Sequence, residues 1–185
     1  LENRNKTTVT PINLDLEDEN NIKSAASLIN VEIDIIVNCA ATIQTSLFQM
    51  TTQKDLNKIF QINVFSQILF TQYILKKMIK NKNGGSVIFV SSTSAIDGNK
   101  GRNAYASTKS ALITQAKVLS KELGLKNIRV NAVAPGLTDT EMLKRNSPES
   151  LINKMKENIS LGRIAKPEEI ANVILFLSSD LSSYI

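Results

Sequence analysis

The sequence predicts an α/β fold in which a parallel sheet carries helices on both faces. Short apolar segments rich in Val and Ile alternate with longer segments of helical pattern, which is the element order of a doubly wound sheet with right-handed crossovers. The apolar segments also lack a polar side, and such strands are buried on both faces. The four predicted strands are 7–14, 33–39, 86–91 and 128–133.

Helices are expected between and after these strands, at about 19–29, 53–80 and 104–123. Asp18 precedes the first, and an Asp side chain there accepts from free N–H groups of the first turn. Gly124 follows the third and is typical of a residue that closes a helix. A later helix begins at Pro167, with Glu168 and Glu169 at the positive end of its dipole.

The composition limits the classes of function that the chain can have. Its 185 residues, 42% hydrophobic and 21% charged, predict one globular domain over 1–185. The absence of His excludes Ser-His-Asp and Cys-His catalysis and any His-based metal site. The single cysteine, Cys39, excludes disulfide frameworks and zinc clusters, so we expect no metal.

Charge and hydropathy give no support to a nucleic-acid or membrane partner. The net charge of +5 comes from 22 Lys and Arg spread among 17 acidic residues, without the basic stripe of a nucleic-acid-binding domain. The sequence has neither a run of 18 apolar residues nor the pattern of a signal peptide. We therefore expect a protein of the cytoplasm.

The segment 53–80 is apolar around most of its circumference. A helix of this kind is buried on two sides. The sheet covers one side, and in a small single domain the other side needs a further partner. We therefore expect a homo-oligomer, at least a dimer, formed through the helices 53–80 and 104–123.

Tyr105 and Lys109 form the most specific local pattern in the chain. At positions i and i+4 of helix 104–123 their side chains share one face, so the ammonium can lie beside the phenol and favour its ionised form. A phenol with a lowered pKa can act as acid or base nearer neutral pH. The alternative is an ordinary pair of surface side chains.

Ser92 and Asn63 are further candidates. Ser92 lies in a hydroxyl-rich segment at the carboxyl end of strand 86–91, where open parallel sheets bind ligands, although capping of a turn would also explain it. Asn63 interrupts the apolar helix, and a buried amide without partners costs about 1–3 kcal/mol. Either nearby backbone, directly or through water, satisfies this amide, or it holds a water on a proton path to Lys109.

These segments together resemble the short-chain dehydrogenase/reductase superfamily, most closely its bacterial 3-oxoacyl-acyl carrier protein reductase type. The resemblance runs from Asn13-Leu14-Asp15-Leu16 through Ile62-Asn63-Val64 and Tyr105 to Val130-Asn131-Ala132-Val133-Ala134-Pro135-Gly136 and the tail. It implies a Rossmann-like, three-layer α/β/α domain, often assembled as a homotetramer. It also implies an oxidoreductase that uses NAD or NADP to interconvert a secondary alcohol and a ketone.

The resemblance also implies the role of each candidate. Ser92 would bind the substrate oxygen, Tyr105 would exchange a proton with it, Lys109 would hold the nicotinamide ribose and lower the phenol pKa, and Asn63 would anchor a water of the proton relay. Besides Tyr105 and Lys109, the implied cofactor-binding residues are Asp15, Leu16, Asn38, Ala40, Pro135, Gly136, Thr138 and Thr140. Segment 141–162 would be a mobile lid over a small carbonyl or alcohol substrate, with a 3-oxoacyl thioester as one candidate.

Two departures from the family pattern leave a second function open. Cys39 and Ala41 replace the second Asn and the Gly of an Asn-Asn-Ala-Gly segment, and Cys39, without a basic neighbour in the sequence, is expected to be a small buried residue. None of the seven glycines forms the glycine-rich phosphate turn. The family's first strand-helix-strand unit and last strand thus have no counterpart here. The alternative is a catalytically inactive relative that serves as a binding or scaffold subunit.

Overall fold

A three-stranded parallel sheet forms the centre of the structure, a computed structural model that describes residues 8–81 and 83–185. The strands β1 (Ile35–Asn38), β2 (Gly85–Val90) and β3 (Ile128–Val133) lie side by side in that order. In their register Val37 lies beside Ile88, and Val87 lies beside Val130. The parallel sheet and three of the four predicted strands are therefore confirmed.

Eight α-helices are found in the described residues. They are α1 (Glu19–Leu28), α2 (Gln53–Phe60), α3 (Ser66–Asn81), α4 (Ser94–Asp97), α5 (Asn103–Leu123), α6 (Glu141–Asn146), α7 (Glu149–Lys156) and α8 (Pro167–Ser178). The predicted start signals hold for two of them. Asp18 caps α1 by accepting from the Asn20 N–H at 2.8 Å, and Pro167 is the first residue of α8.

Helices cover both faces of the sheet because alternate side chains of β2 point to opposite sides. Val87 and Phe89 belong to a buried cluster that includes Leu112 of α5. Ser86 points the other way, and its hydroxyl donates to the Leu177 carbonyl of α8 at 3.0 Å. The chain therefore has three layers, α/β/α, and the predicted fold class is confirmed.

The long helical segment begins at Gln53 as predicted, but it is not α-helical throughout. A π-helix (Gln61–Phe65) joins α2 to α3, and such wide turns occur frequently at functional sites. The α1 helix packs against α3, and the Lys77 ammonium donates to the Ala26 carbonyl at 2.9 Å. Part of the surface of this segment that the sheet leaves open is therefore covered by α1 of the same chain.

The predicted strand at 7–14 is wrong for the residues that the structure describes. Thr7 lies outside them, and 8–14 join no strand of the sheet. One edge of β1 has no neighbouring strand among the described residues, and its Ile35 and Val37 side chains are exposed. A strand needs a neighbour to bond its N–H and C=O groups, and Val and Ile contribute only a propensity.

The end of α5 differs in detail from the prediction. Gly124 follows the last α-helical residue as expected, but its φ of −54° is helical, and the chain continues in a 3-10 turn (Gly124–Lys126). The left-handed residue is Asn127, with φ of 57°. Asn adopts this conformation more readily than most residues because its short polar side chain bonds locally.

The turn before β2 packs closely against Asn127. Gly84 has φ of +78°, and a Cβ at this position would overlap the Asn127 carbonyl oxygen. The Gly85 N–H donates to the same carbonyl at 3.0 Å. Position 84 therefore requires glycine both for its backbone conformation and for the close approach of the two turns.

Two general properties of the described part of the chain bear on function. None of its helices is both long and apolar enough to cross a membrane. Nor does this part bring together three or more Cys, Asp or Glu side chains in a group that could hold a metal ion.

We predict that Gly84→Ala lowers the free energy of unfolding by about 1–3 kcal/mol, because the added methyl group strains the backbone and displaces Asn127. The matched control is Gly124→Ala. Gly124 has a helical φ, and no heavy atom beyond its own stretch of chain lies within 4 Å of a Cβ built there, so this change should be neutral or stabilising by up to about 1 kcal/mol. Urea unfolding of the two variants measures the difference, and equal effects would contradict this account of the turn.

Candidate active site

The carboxyl ends of the three strands form one edge of the sheet, and the residues that follow them are joined by backbone hydrogen bonds. The Ser91 N–H donates to the Val133 carbonyl at 2.7 Å, and the Thr93 N–H donates to the Pro135 carbonyl at 3.0 Å. The segment that contains Ser92 is thereby held beside the segment that leaves β3. This is the edge at which open parallel sheets bind ligands.

Tyr105 lies in the first turn of α5, and Ser92 approaches it from the end of β2. Burial has the largest effect on the phenol and raises the pKa of Tyr105. A hydrogen bond with the Ser92 hydroxyl and the positive charge of Arg102 both lower this pKa, but by less. The sequence predicts that Lys109 lowers the pKa of Tyr105, whereas burial raises it. The phenol is therefore protonated near neutral pH, which is the form that can donate a proton to a substrate oxygen.

Lys109 lies one turn after Tyr105 and is almost completely buried, with 2% of its surface exposed. Its Nζ lies 5.9 Å from the centroid of the Tyr105 ring and donates to the Val90 carbonyl at 2.7 Å. Burial lowers its pKa to about 8, against a smaller opposite effect of Cys39. An ammonium has three N–H donors, so Lys109 has further donors available for a ligand.

Asn63 is fully buried in the π-helix, and protein groups satisfy its amide. Its Oδ1 accepts from the Thr42 N–H at 2.7 Å. Its Nδ2 donates to the Thr42 carbonyl at 2.9 Å and to Thr108 Oγ1 at 3.1 Å. The Thr108 hydroxyl in turn donates to the Tyr105 carbonyl at 2.7 Å. Backbone and hydroxyl groups thus supply the partners of this amide, and they connect it to the helix that carries Tyr105.

Four of the implied cofactor-binding residues lie beyond β3. Pro135 and Gly136 follow that strand directly, and the Thr138 hydroxyl donates to the Gly136 carbonyl at 3.1 Å. Thr140 caps α6, where its Oγ1 accepts from the Leu143 N–H at 3.3 Å. These residues form a continuous segment along the carboxyl edge of the sheet. Thr138 also pairs with Ala165 across the base of segment 141–162.

The other four implied cofactor-binding residues lie toward β1, at the opposite end of the carboxyl edge of the sheet. Asn38 ends β1, and its amide donates to Thr71 Oγ1 at 2.9 Å, so its side chain holds α3 rather than facing outward. The side chain of Ala40 is exposed, and its carbonyl accepts from Gln67 at 2.7 Å. Asp15 and Leu16 precede α1, and the Leu16 carbonyl accepts from Gln61 of the π-helix at 3.2 Å.

The donor set of this edge fits the nicotinamide half of a dinucleotide. Lys109 offers ammonium hydrogens beside Tyr105, and the small exposed residues Ala40 and Gly136 leave open space at the ends of β1 and β3. Ribose hydroxyls are suitable acceptors for such donors. The described residues therefore suit the part of a nicotinamide cofactor that has to lie closest to Tyr105.

Cys39 corrects two expectations. The sequence predicts a buried residue without a basic neighbour, whereas the thiol is exposed and lies within electrostatic range of Lys109. Both differences follow from the position of Cys39 directly after β1. One face of that strand is open among the described residues, and its carboxyl end meets the buried ammonium.

Several residues of the site were missed by the sequence analysis. Thr108 connects Asn63 to Tyr105, and Ser91 fixes the same helix because its hydroxyl donates to the Lys109 carbonyl at 2.7 Å. Arg102 lies within electrostatic range of the phenol. The one available signal was the position of Thr108 between Tyr105 and Lys109. Nothing in the sequence pattern indicates the other contacts.

Comparison with known proteins places this geometry in a family. The family model described as "Enoyl-(Acyl carrier protein) reductase" matches residues 1–185. The 3-oxoacyl-(acyl-carrier-protein) reductase FabG of Aquifex aeolicus is 44% identical over 83% of this chain and 61% of that protein. The protein of the same name from Thermotoga maritima is 39% identical over 96% of this chain and 72% of its own length.

A third relative has a different substrate in its name. The 3alpha-hydroxysteroid dehydrogenase of Mediterraneibacter gnavus is 39% identical over 83% of this chain and 60% of that protein. This chain therefore spans between 60% and 72% of the length of these three relatives. Since the family model covers every residue and the relatives align over most of the chain, the chain belongs to the short-chain dehydrogenase/reductase family.

Proposed function

We propose that this chain carries the reaction centre of an NAD(P)(H)-dependent oxidoreductase that interconverts a secondary alcohol and a ketone. The observation that carries the proposal is the meeting of Ser92 and the protonated phenol of Tyr105 above the buried ammonium of Lys109. Two hydroxyl donors at one point suit a substrate oxygen that becomes negatively charged. This arrangement favours the enzyme over a catalytically inactive scaffold subunit.

The residues act on the substrate oxygen in a defined order. Ser92 and Tyr105 donate hydrogen bonds to the ketone oxygen and hold it in place. A reduced nicotinamide cofactor held by Lys109 and Tyr105 would supply the hydride for the ketone carbon. As negative charge develops on the oxygen, Tyr105 transfers its phenolic proton to it, and the product is a secondary alcohol. The same residues serve in the reverse direction, with the phenolate accepting the proton of the alcohol.

Lys109 stabilises the phenolate that remains after this transfer. Its ammonium lies close to the phenol in a buried environment, where charge interactions are stronger than in water. The proton that Tyr105 loses has to be replaced, and we assign this to a water near Asn63 and Lys109. Because both N–H groups of the Asn63 amide are already used, that water would have to bond to an acceptor oxygen of Asn63.

The cofactor is NAD or NADP. Lys109 and Tyr105 would contact the nicotinamide ribose, and Asn38 would contribute through its backbone, since its side chain bonds Thr71. The remaining proposed contacts are Asp15, Leu16 and Ala40 on the adenosine side and Pro135, Gly136, Thr138 and Thr140 on the nicotinamide side. We propose that segment 141–162, which contains α6 and α7, closes over the substrate.

The relatives direct the substrate proposal toward oxoacyl compounds. Two of them are named as reductases of a 3-oxoacyl group, and a (3R)-3-hydroxyacyl-CoA dehydrogenase from Homo sapiens is 32% identical over 82% of this chain. We propose a ketone in the 3-oxo position of a short acyl compound. The family description names an enoyl group instead, but the two hydroxyl donors of this site suit an oxygen that accepts a proton.

We also propose that the protein assembles as a homodimer or homotetramer through the helices of 53–80 and 104–123. The α5 helix packs against α2 and against the π-helix, so their outer faces form one surface. Phe65 and Val118 on these helices are 50% and 45% exposed. Burial of such side chains in a second copy would be favourable.

We predict that Tyr105→Phe lowers kcat for reduction of methyl acetoacetate by about 10²–10⁴-fold, because the variant lacks the proton donor. Its thermal unfolding should remain close to that of the wild type. The control is Tyr184→Phe, which removes the same hydroxyl from a fully exposed ring and should leave the rate unchanged. Unchanged turnover of Tyr105→Phe would contradict the mechanism, and a wild type that oxidises neither NADH nor NADPH with the ketone would favour the inactive relative.

We predict that kcat/KM for the same reduction falls as the pH rises above about 8, because the Lys109 ammonium then loses its proton. The pKa of Tyr105 lies above its ordinary value, so the phenol does not cause a decline in this range. In Lys109→Arg the guanidinium stays charged, and the remaining activity should not decline between pH 8 and 10. A flat wild-type profile, or the same decline in both proteins, would contradict this assignment.

A further inference from the structure

Arg102 has a buried donor that nothing in the described part of the chain satisfies. It stands immediately before α5, three residues before Tyr105. Its Nη1 is enclosed but makes no hydrogen bond within residues 8–81 and 83–185. The ion pairs of these residues involve other side chains. An enclosed guanidinium nitrogen without an acceptor is unfavourable, so the position is suited to an anionic ligand.

The loop after β1 forms the other side of this position. Its Ser46 forms an isolated parallel bridge with Arg102, and the Ser46 N–H donates to the Gly101 carbonyl at 3.0 Å. Gln44 lies in the same loop, and its Oε1 is likewise buried without a donor among the described residues. If its amide is turned over, Gln44 presents N–H groups instead. Gln44 would then be a second unpartnered donor in the loop that borders Arg102.

Arg102 and Tyr105 lie close enough to influence each other. The positive charge of Arg102 lowers the pKa of Tyr105, and the charge of Tyr105 raises the pKa of Arg102. Burial has the larger effect on both pKa values. A substrate oxygen held by Tyr105 therefore places the neighbouring atoms of the substrate within range of the guanidinium. A negative group a few bonds from that oxygen would be attracted by the positive charge of Arg102.

We propose that Arg102 binds a carboxylate of the substrate, so that the preferred substrate is a short 3-oxo acid or the matching 3-hydroxy acid rather than an uncharged ketone. This inference rests on the proposed function, because it takes the ketone oxygen to be at Ser92 and Tyr105. A guanidinium presents parallel N–H groups that match the two oxygens of a carboxylate. In a 3-oxo acid one carbon separates the ketone from the carboxylate carbon, the same spacing as in a 3-oxoacyl thioester.

The test compares acetoacetate with methyl acetoacetate, which carry the same ketone with and without a negative charge. We expect the wild type to prefer acetoacetate, and Arg102→Gln to lower kcat/KM for acetoacetate by about 10–100-fold, mainly through KM, as for loss of a hydrogen bond to a charged group. The value for the ester should change less than about threefold. Arg102→Lys keeps the positive charge without the parallel N–H groups, so its kcat/KM for acetoacetate should lie between those of Arg102→Gln and the wild type.

Lys100→Gln is the matched control, because it removes one positive charge from an exposed position two residues before Arg102. It should leave kcat/KM unchanged for both acetoacetate and its methyl ester. Equal losses on acid and ester in Arg102→Gln would show that Arg102 only supports the fold, and the inference would be wrong. Reduction of the ester without any preference for the acid would overturn the inference and leave the proposed function standing.

A binding measurement separates this inference from the proposed function. Calorimetric titration of acetoacetate into the protein, in the presence of oxidised nicotinamide and in its absence, requires no turnover. Binding that Arg102→Gln weakens about tenfold or more, and that Lys100→Gln leaves unchanged, would support the carboxylate site even in a protein that reduces neither compound. Absence of acetoacetate binding to the wild type, or equal binding to Arg102→Gln, would overturn it.

Discussion

The buried amide of Asn63 is the interaction on which the arrangement of the site depends. It joins three parts of the chain that are distant in sequence: the loop after β1, the π-helix and the first turns of α5. Because both amide hydrogens and the carbonyl oxygen have partners, this polar group can be buried at little cost. The same hydrogen bonds fix the helix that carries Tyr105 relative to the sheet.

The electrostatics of the site follow from the burial that this packing produces. Lys109 loses contact with water at the end of β2, where the Val90 carbonyl is its acceptor, and its pKa falls to about 8. The phenol of Tyr105 is pushed toward its protonated form by the same effect. A proton donor and an ammonium group with a lowered pKa are thus held next to each other before any ligand binds, as expected for preorganised acid-base chemistry.

The sequence predicts those parts of the fold that depend on local patterns. The apolar strands β2 and β3, the Asp18 cap and the Pro167 start were found because each has its signal within a few residues. The strand at 7–14 was wrong because pairing depends on a neighbour that local pattern does not reveal, and the π-helix looks like ordinary helix in sequence. Within the site, Tyr105 and Lys109 share one helix face and could be predicted. Arg102 is brought beside the loop after β1, at Ser46, only by the fold.

The most direct test of this account is hydrogen exchange of the Thr42 backbone amide in the protein without ligands, because its N–H donates to Asn63 Oδ1. If the Asn63 amide holds the site together, this hydrogen should exchange as slowly as those of β2 and far more slowly than the exposed Lys100 amide. The protection should disappear in Asn63→Leu. Exchange of the Thr42 amide at the rate of Lys100 in the wild type would contradict the claim that the fold preforms the site.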